Sequence, residues 1–162
     1  MGFATHLGPW LLGTVKNTTG TTAGSIRNMG ATEVAQQVTL PYTALTGGGT
    51  GNAFVIPAGS LIKSISFYTT TTFSSAATVK LSIGATDIVA ATTVTGPAAP
   101  TAMTSATAAD GTTALWANVG STDAIVTYTG TGTTLTTGSV TLVVTYVVRD
   151  TNGNANPTAT QN

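Results

Sequence analysis

The chain of 162 residues contains five Lys and Arg, five Asp and Glu, one His and no Cys, while about a quarter of its residues are Thr. Acid-base, nucleophilic and metal-assisted catalysis all need titratable side chains close together, so this composition argues against an enzyme. A net charge of zero provides neither a basic stripe for nucleic acid nor a polybasic patch for anionic lipid. We therefore predict a non-enzymatic protein without cofactor, bound metal, nucleic-acid partner or membrane partner.

Length and hydropathy predict one folded domain between two terminal segments. A hydrophobic content of 41% and a mean hydropathy of +0.30 are sufficient for a buried core. The chain start has no basic residues before its short apolar run, so we expect a soluble protein without a signal peptide. We predict an extended N-terminal arm over residues 1–32, a β-sandwich domain over 33–150 and a flexible C-terminal tail over 151–162.

The predicted arm concentrates its apolar residues near its beginning and continues into a Gly/Thr/Ser-rich stretch without periodicity. Aromatic and large aliphatic side chains dominate binding energy when they enter a pocket on a partner. We predict that the arm contacts a partner or a sister subunit, and we leave open that it folds back on its own core. The candidate contact residues are Phe3, Trp10, Leu11, Leu12 and Val15.

The middle of the chain changes to a period of two. Alternating apolar positions from Val34 to Leu40 predict a first strand that ends at Pro41, although residues 32–37 also allow a short helix. A Gly-rich loop follows at 46–52. Pro57 and Gly59 then mark a turn into a strand over 61–69. In that strand we expect Ile65 and Phe67 to face the core.

Further strands follow at short intervals. Val79, Leu81 and Ile83 alternate with polar residues and predict a half-buried strand that Gly84 ends. We expect a short strand near 88–94, then a surface loop to about 112, and two more short strands at 114–118 and 124–129. The last strand, 139–149, is apolar on both faces and is predicted to be central in its sheet.

Short strands between Gly/Thr turns predict an all-β fold: an antiparallel β-sandwich or jelly roll with an extended N-terminal arm. Threonine suits such a fold because it is β-branched and keeps the solvent face wettable without charge. An uncharged face packs against another protein without stripping water from ions. Open sheet edges of low charge also favour association, and we expect a homotrimer.

Candidate metal ligands are few and poorly spaced. His6 has no second His with which to form a metal site or a catalytic triad, so we expect it to serve packing or to lie at the surface. Asp87, Asp110 and Asp123 lie in or beside predicted loops, but they lack the dense spacing of a calcium loop. We predict no metal site.

Two aromatic residues allow either a structural or a binding interpretation. Trp116 and Tyr128 would form a stacking platform for a sugar if their rings were exposed, with the loop at 96–112 contributing further contacts. Isolated aromatics in strand-like segments more often belong to the core. We favour the core and keep a carbohydrate-binding or adhesin-like module as the alternative function, with an enzyme third.

Four segments carry a resemblance to small β-sandwich virion proteins of tailed bacteriophages, including marine and cyanobacterial phages. The sequences FVIPAGSLIKSISFYTTTTF (54–73) and TVKLSIG (78–84) resemble such proteins, and LGPWLLGTVKNTT (7–19) and GSVTLVVTY (138–146) are similar to them. Together the four segments cover about half of the chain, and none is a diagnostic signature.

The resemblance implies a head decoration, or cement, protein. Such a protein sits as a trimer on the outside of an icosahedral capsid, binds the major capsid protein and ties neighbouring capsomers together. The expected location is therefore the capsid exterior of a virion assembled in a bacterial cytoplasm. Some relatives belong to fibres or tails, so that position stays open.

Overall fold

A computed structural model of the chain describes residues 33–96, 101–103 and 114–149. The described residues form eight strands and two four-residue helices. The helices are α1 (Tyr42–Leu45) and α2 (Ala114–Ala117). The strands are β1 (Glu33–Pro41), β2 (Thr50–Ile56), β3 (Leu61–Thr71), β4 (Thr78–Ile83), β5 (Thr86–Thr93), β6 (Thr101–Met103), β7 (Ala124–Thr131) and β8 (Ser139–Val147).

The strands make two four-stranded antiparallel sheets, in the orders β1-β8-β3-β6 and β2-β7-β4-β5. Their pairing is nested along the chain: β1 pairs with β8, β2 with β7, β3 with β6 and β4 with β5. A long hairpin rolled over on itself produces this order, which is the eight-stranded jelly roll. The predicted antiparallel β-sandwich or jelly roll is confirmed, and β8 lies between β1 and β3, in the central position that its two apolar faces predicted. The N-terminal arm predicted over residues 1–32 lies outside the described residues.

The core lies between the two sheets and is built from alternate residues of each strand. Ile65 and Phe67 on β3 are buried as predicted, and so are Val79 and Leu81 on β4. Every second residue of β8 is buried while its neighbours stay half-exposed. Because strand side chains alternate between the two faces, the period of two in the sequence becomes one buried layer per sheet. The inward residues of β8 are Val140, Leu142, Val144 and Tyr146.

Three local predictions are wrong. Residues 114–118 do not form a strand, because Asn118 N–H bonds to the Ala114 carbonyl at 2.9 Å and closes the turn of α2. A four-residue apolar run has no period that separates helix from strand. The predicted loop at 46–52 ends early, because β2 already begins at Thr50. The predicted surface loop up to about residue 112 contains strand β6, which pairs with β3. The predicted first strand is confirmed as β1, so the alternative helix is excluded.

The sequence did not predict strand β2, because several of its residues have little preference for strands. Gly51 has little intrinsic preference for a strand, but it pairs with Tyr128 of β7. A Cβ atom at Gly51 would lie 2.9 Å from Tyr128 Cε1, so the aromatic ring occupies the space that a side chain would fill. Cross-strand packing therefore overrides local propensity here.

A β-bulge in β5 positions helix α2. Leu81 pairs with Val89 and Ser82 pairs with Asp87, so Ile88 is the extra residue on the β5 side. The bulge lets Ile88 and Val89 both be buried although they are consecutive. The carbonyl of Ile88 accepts a hydrogen bond of 2.9 Å from the Trp116 indole Nε1, which fixes α2 against this strand.

Arg149 ties together the segments at the end of β8. Its Nε donates to the Gly59 carbonyl at 3.0 Å, and its Nη2 donates to the Ala117 carbonyl at the end of α2. A cation at the last carbonyls of a helix satisfies groups that have no partner within the helix. In the same region the Asp123 carboxylate accepts a 3.0 Å hydrogen bond from the backbone N–H of Ala58.

We expect Ser60→Ala to stabilise the fold. Ser60 is 0% exposed and its Oγ has no hydrogen-bond partner. An unpartnered buried hydroxyl costs roughly 1–3 kcal/mol, so removing it should raise the free energy of unfolding by up to about 1 kcal/mol after the lost packing is subtracted. Urea unfolding measures the change. The control is Ser82→Ala, which removes a buried hydroxyl that does have a partner and should destabilise the fold. A destabilised Ser60→Ala would contradict the prediction.

Candidate interaction surfaces

The charged side chains of the described residues are all engaged within the chain. Lys63 forms an ion pair with Glu33, and Lys80 Nζ lies 3.1 Å from Asp87 Oδ1. Arg149 and Asp123 are bound to backbone groups, as described above. Both ion pairs are well exposed, and exposed pairs contribute only about 0–1 kcal/mol each. Among the described residues, the two ion pairs balance four of the six charges, whereas Arg149 and Asp123 are hydrogen-bonded to backbone groups and have no opposite charge beside them.

The outer face of the β1-β8-β3-β6 sheet is uncharged over most of its area. Rows of directly paired residues cross three strands, and the Thr39 and Thr141 hydroxyls share a 2.8 Å hydrogen bond. The Glu33–Lys63 ion pair lies at one end of this surface. We call it the uncharged face; its rows are Thr39, Thr141 and Tyr68; Gln37, Val143 and Ser66; and Ala35, Thr145 and Ser64.

The outer face of the second sheet is dominated by hydroxyl groups. Thr127, Thr129 and Thr131 alternate along β7 and therefore point to the same side. Thr131 shares a 2.5 Å hydrogen bond with Thr78 of β4, and the Lys80–Asp87 ion pair crosses from β4 to β5. We call this surface the threonine face. Its hydroxyls stay wettable while bonding to one another across strands.

Three large apolar side chains of the described residues are strongly exposed. Tyr68, 40% exposed, lies on the uncharged face. Val55 and Ile125 are 51% and 49% exposed, and they are direct partners across β2 and β7. The two side chains point to the same side because directly opposed residues of an antiparallel pair share a face. We call Val55 and Ile125 the exposed pair; it lies at one end of the threonine face.

The polar cluster on β4 and β5 perturbs one carboxyl. A 2.7 Å hydrogen bond from Ser82 Oγ to Asp87 Oδ1, reinforced by the Lys80 ammonium, holds the pKa of Asp87 below its ordinary value of 3.8. Both interactions favour the ionised carboxylate. The arrangement joins neighbouring strands, because Ser82 and Lys80 lie on β4 and Asp87 lies on β5.

We expect Asp87→Asn to reduce the acid sensitivity of the fold. A carboxyl whose pKa is lower in the folded chain stabilises it above the unfolded pKa, and this contribution is lost as the pH falls through the folded pKa. Acidification from about pH 5 to about pH 2 should therefore destabilise the natural chain more than Asp87→Asn. Chemical unfolding at a series of pH values measures the difference. Ser82→Ala keeps the carboxyl but removes its main donor, so its acid sensitivity should also fall. If the free energy of unfolding changed with pH equally in all three chains, the Ser82–Asp87 interaction would not be the cause of the acid sensitivity.

The structure places some of the predicted site residues and leaves others outside its described ranges. Phe3, Trp10, Leu11, Leu12 and Val15 lie outside the described residues, as do His6, Asp110 and the tail at 151–162. Among described residues, no group of three or more His, Cys, Asp or Glu comes close enough to hold a metal. In the same ranges no helix is long and apolar enough to cross a bilayer.

The two candidate sugar-stacking residues both belong to the core. Trp116 is 2% exposed and hydrogen-bonded through its indole N–H, so its ring has no free face. Tyr128 lies on the inward side of β7, partly buried, with its ring over Gly51. The core interpretation of both residues is confirmed.

The described residues thus define an eight-stranded jelly roll with low-charge outer faces. No family model matches the chain, and no curated protein matches it. The fold is similar to a chain in the capsid asymmetric unit of cyanophage Pam1, with 14% sequence identity, a TM-score of 0.52, and coverage of 81% of this chain and 95% of that chain. It is also similar to a chain in the acid-stable capsid of Helicobacter pylori bacteriophage KHP30, with 13% identity, a TM-score of 0.43, and coverage of 72% and 87%. At these identities the likeness is one of fold.

Proposed function

We propose that the chain is a structural protein of a phage virion. More specifically, it acts as a capsid decoration protein that binds the outer surface of the major capsid protein shell and stabilises it. The observation that carries the proposal is the jelly roll itself, which is similar to a chain of the Pam1 capsid over 95% of that chain. Jelly rolls also occur in lectins and cupins, so the fold alone does not define the function. The charge of the outer faces is the second observation that supports the proposal.

The low charge of the outer surface favours close packing against another protein. A charge buried without a good partner costs several kcal/mol, whereas hydroxyl and apolar groups can be covered at much lower cost. Among the described side chains of the uncharged face, the charged groups are confined to the Glu33–Lys63 pair at its end. Such a face suits a protein whose task is to lie against a repeating protein shell.

We further propose a homotrimer whose contacts with the shell or with a neighbouring subunit use Phe3, Trp10, Leu11, Leu12 and Val15. Large apolar side chains that enter pockets commonly contribute 2 kcal/mol or more each, so deleting residues 1–15 should weaken binding to particles by about tenfold or more. No catalytic role is proposed for any residue. In this account the chain functions on the exterior of the virion.

Quantitative mass spectrometry of purified virions tests the proposal. The expected result is a copy number comparable with that of the major capsid protein. A few copies per particle would instead place the chain in a tail or fibre. Absence from the particles would refute a virion role and leave glycan binding as the function to examine.

Reconstitution tests the stabilising role. Recombinant chain added to particles that lack it should bind and should raise the temperature at which the particles release their genome. The variant without residues 1–15 should bind weakly, while a matched variant without residues 151–162 should bind like the full chain. Full-chain binding without any thermal effect would remove the stabilising part of the proposal. Equal binding of both variants would remove the assigned contact residues.

A further inference from the structure

The exposed pair interrupts an otherwise hydrophilic surface. Val55 and Ile125 are each about half exposed, and the outward positions that follow along β7 are the threonines of the threonine face. On the β4 side the strand ends at Ile83 and is followed by Gly84, where an added Cβ would meet no atom within 4 Å. Gly84 itself adds no side chain on that side. The two side chains form a small apolar patch rimmed by polar residues, which a partner surface can cover.

The sheet edge beside the pair is already capped. Gln36 Nε2 donates a 2.9 Å hydrogen bond to the Val55 carbonyl and also bonds to Tyr146 Oη at 2.6 Å. This side chain crosses from β1 to β2 and occupies the backbone acceptor that an added strand would use. A partner of the exposed pair must therefore bind through side-chain packing on the outer face and not by extending the sheet at this point.

Charge complementarity points to the occupant. Residues 1–32 contain Lys16 and Arg27 but none of the five acidic residues of the chain, whereas the remaining residues hold all five acids and three of the five cations. The first segment therefore carries a net charge of +2 and the rest a net charge of −2, with His neutral. Asp123 is exposed and lies two residues before Ile125 on β7, so an acidic group borders the exposed pair.

We propose that the N-terminal segment of a second copy of this chain docks on the exposed pair. Its apolar run Trp10-Leu11-Leu12 packs on Val55 and Ile125, and Lys16 lies toward Asp123. The 20 residues between Leu12 and Glu33 span up to about 70 Å when extended, which is enough to reach a neighbouring subunit. The described residues leave about half of each side chain exposed, and the proposal places the segment of another copy over them. The inference deepens the oligomerisation part of the proposed function and does not depend on capsid binding.

Engineered cysteines test the docking directly, because the chain has no natural Cys. Leu11→Cys and Ile125→Cys are made as two single variants, mixed and oxidised. The expected product is a disulfide-linked heterodimer that neither variant forms alone in the same yield. Tyr68→Cys replaces Ile125→Cys in the matched control, which should not cross-link above background. Equal cross-linking to both positions would overturn the proposal. The double variant Leu11→Cys/Ile125→Cys provides a second check. If it forms its disulfide only within one chain at high dilution, the proposal is also overturned.

Substitution of the pair provides an independent test. Val55→Thr/Ile125→Thr keeps both residues β-branched, so circular dichroism and thermal unfolding should show an intact fold. Sedimentation equilibrium should show a dissociation constant at least tenfold higher than that of the natural chain. Tyr68→Thr on the other sheet should leave it unchanged. A natural chain that is monomeric at all concentrations, or an unaffected double variant, would overturn the inference. The virion copy number would still decide the capsid role separately.

Discussion

Replacing Trp116 with Ala should lower the free energy of unfolding by about 3–5 kcal/mol, the usual loss for a large aromatic residue removed from a core. Trp116 is among the largest fully buried side chains, and it is the residue through which α2 is attached to the sandwich. The truncation leaves a cavity between α2 and β5 and also frees the Ile88 carbonyl that the indole N–H had satisfied. Domains of this size are stable by only about 5–15 kcal/mol, so a large part of the total would be lost.

Chemical unfolding of three chains separates the two contributions. Trp116→Phe retains most of the apolar ring but removes the N–H donor, and it should destabilise the fold by about 1–3 kcal/mol, including the cost of the unsatisfied carbonyl. Trp116→Ala should lose clearly more. If Trp116→Ala costs under about 1 kcal/mol, helix α2 contributes little to the fold and its burial has been misinterpreted.

The strands with strict alternation were predictable from the sequence, and the reason is local. In β4 apolar residues alternate with polar ones, so the pattern alone assigns one face to the core. In β8 both faces carry apolar residues, and this composition predicted its central position in the sheet. In β2 the apolar residues Phe54, Val55 and Ile56 are consecutive, which conceals that the middle one points outward. Helix α2 was not predicted because four residues are too few to show a helical period.

The nested pairing of the jelly roll could be assigned only as a class, because pairings such as β1 with β8 join residues 98 to 114 positions apart. No local signal specifies such a pairing, which forms because both strands present apolar faces to one core. The bulge at Ile88 is similar. It becomes visible only when the register of β4 against β5 is known, and it then explains both the consecutive burial of Ile88 and Val89 and the position of Trp116.

The candidate surfaces could also be predicted only in part from the sequence. Low charge was evident from composition, and it correctly indicated faces of hydroxyl and small apolar groups. The exposed pair was missed because Val55 and Ile125 lie in apolar runs that a sequence interpretation assigns to the core. Only the register of β2 against β7 brings the two together on the outside. Which aliphatic residues are exposed depends on how the strands pair. The sequence signal that would have predicted the exposure of Ile125 is the alternation along β7, which starts at the buried Ala124.

Replacing Gly138 with Ala should destabilise the chain by about 2–6 kcal/mol, which combines roughly 1–3 kcal/mol of backbone strain with roughly 1–3 kcal/mol of overpacking. Gly138 precedes β8 with a φ of 129°, a conformation that residues with a Cβ rarely adopt. An added Cβ would lie 2.2 Å from Phe73 Cδ1 and 2.8 Å from Phe73 Cα, so the backbone of the neighbouring segment would have to move. The Gly138 carbonyl also accepts the Tyr42 N–H at 2.8 Å, which couples any shift to the start of α1.

Gly84→Ala is the matched control for this prediction. Gly84 also has a positive φ, 58°, but an added Cβ there would meet no atom within 4 Å. It should therefore show backbone strain alone, at about 1–2 kcal/mol. In urea unfolding, the excess loss of stability in Gly138→Ala over Gly84→Ala measures the contact with Phe73 together with the difference in backbone strain between the two φ values. If Gly138→Ala is no less stable than Gly84→Ala, the packing of Phe73 against the start of β8 is looser than the structure indicates, and the central strand is positioned by its cross-strand pairs alone.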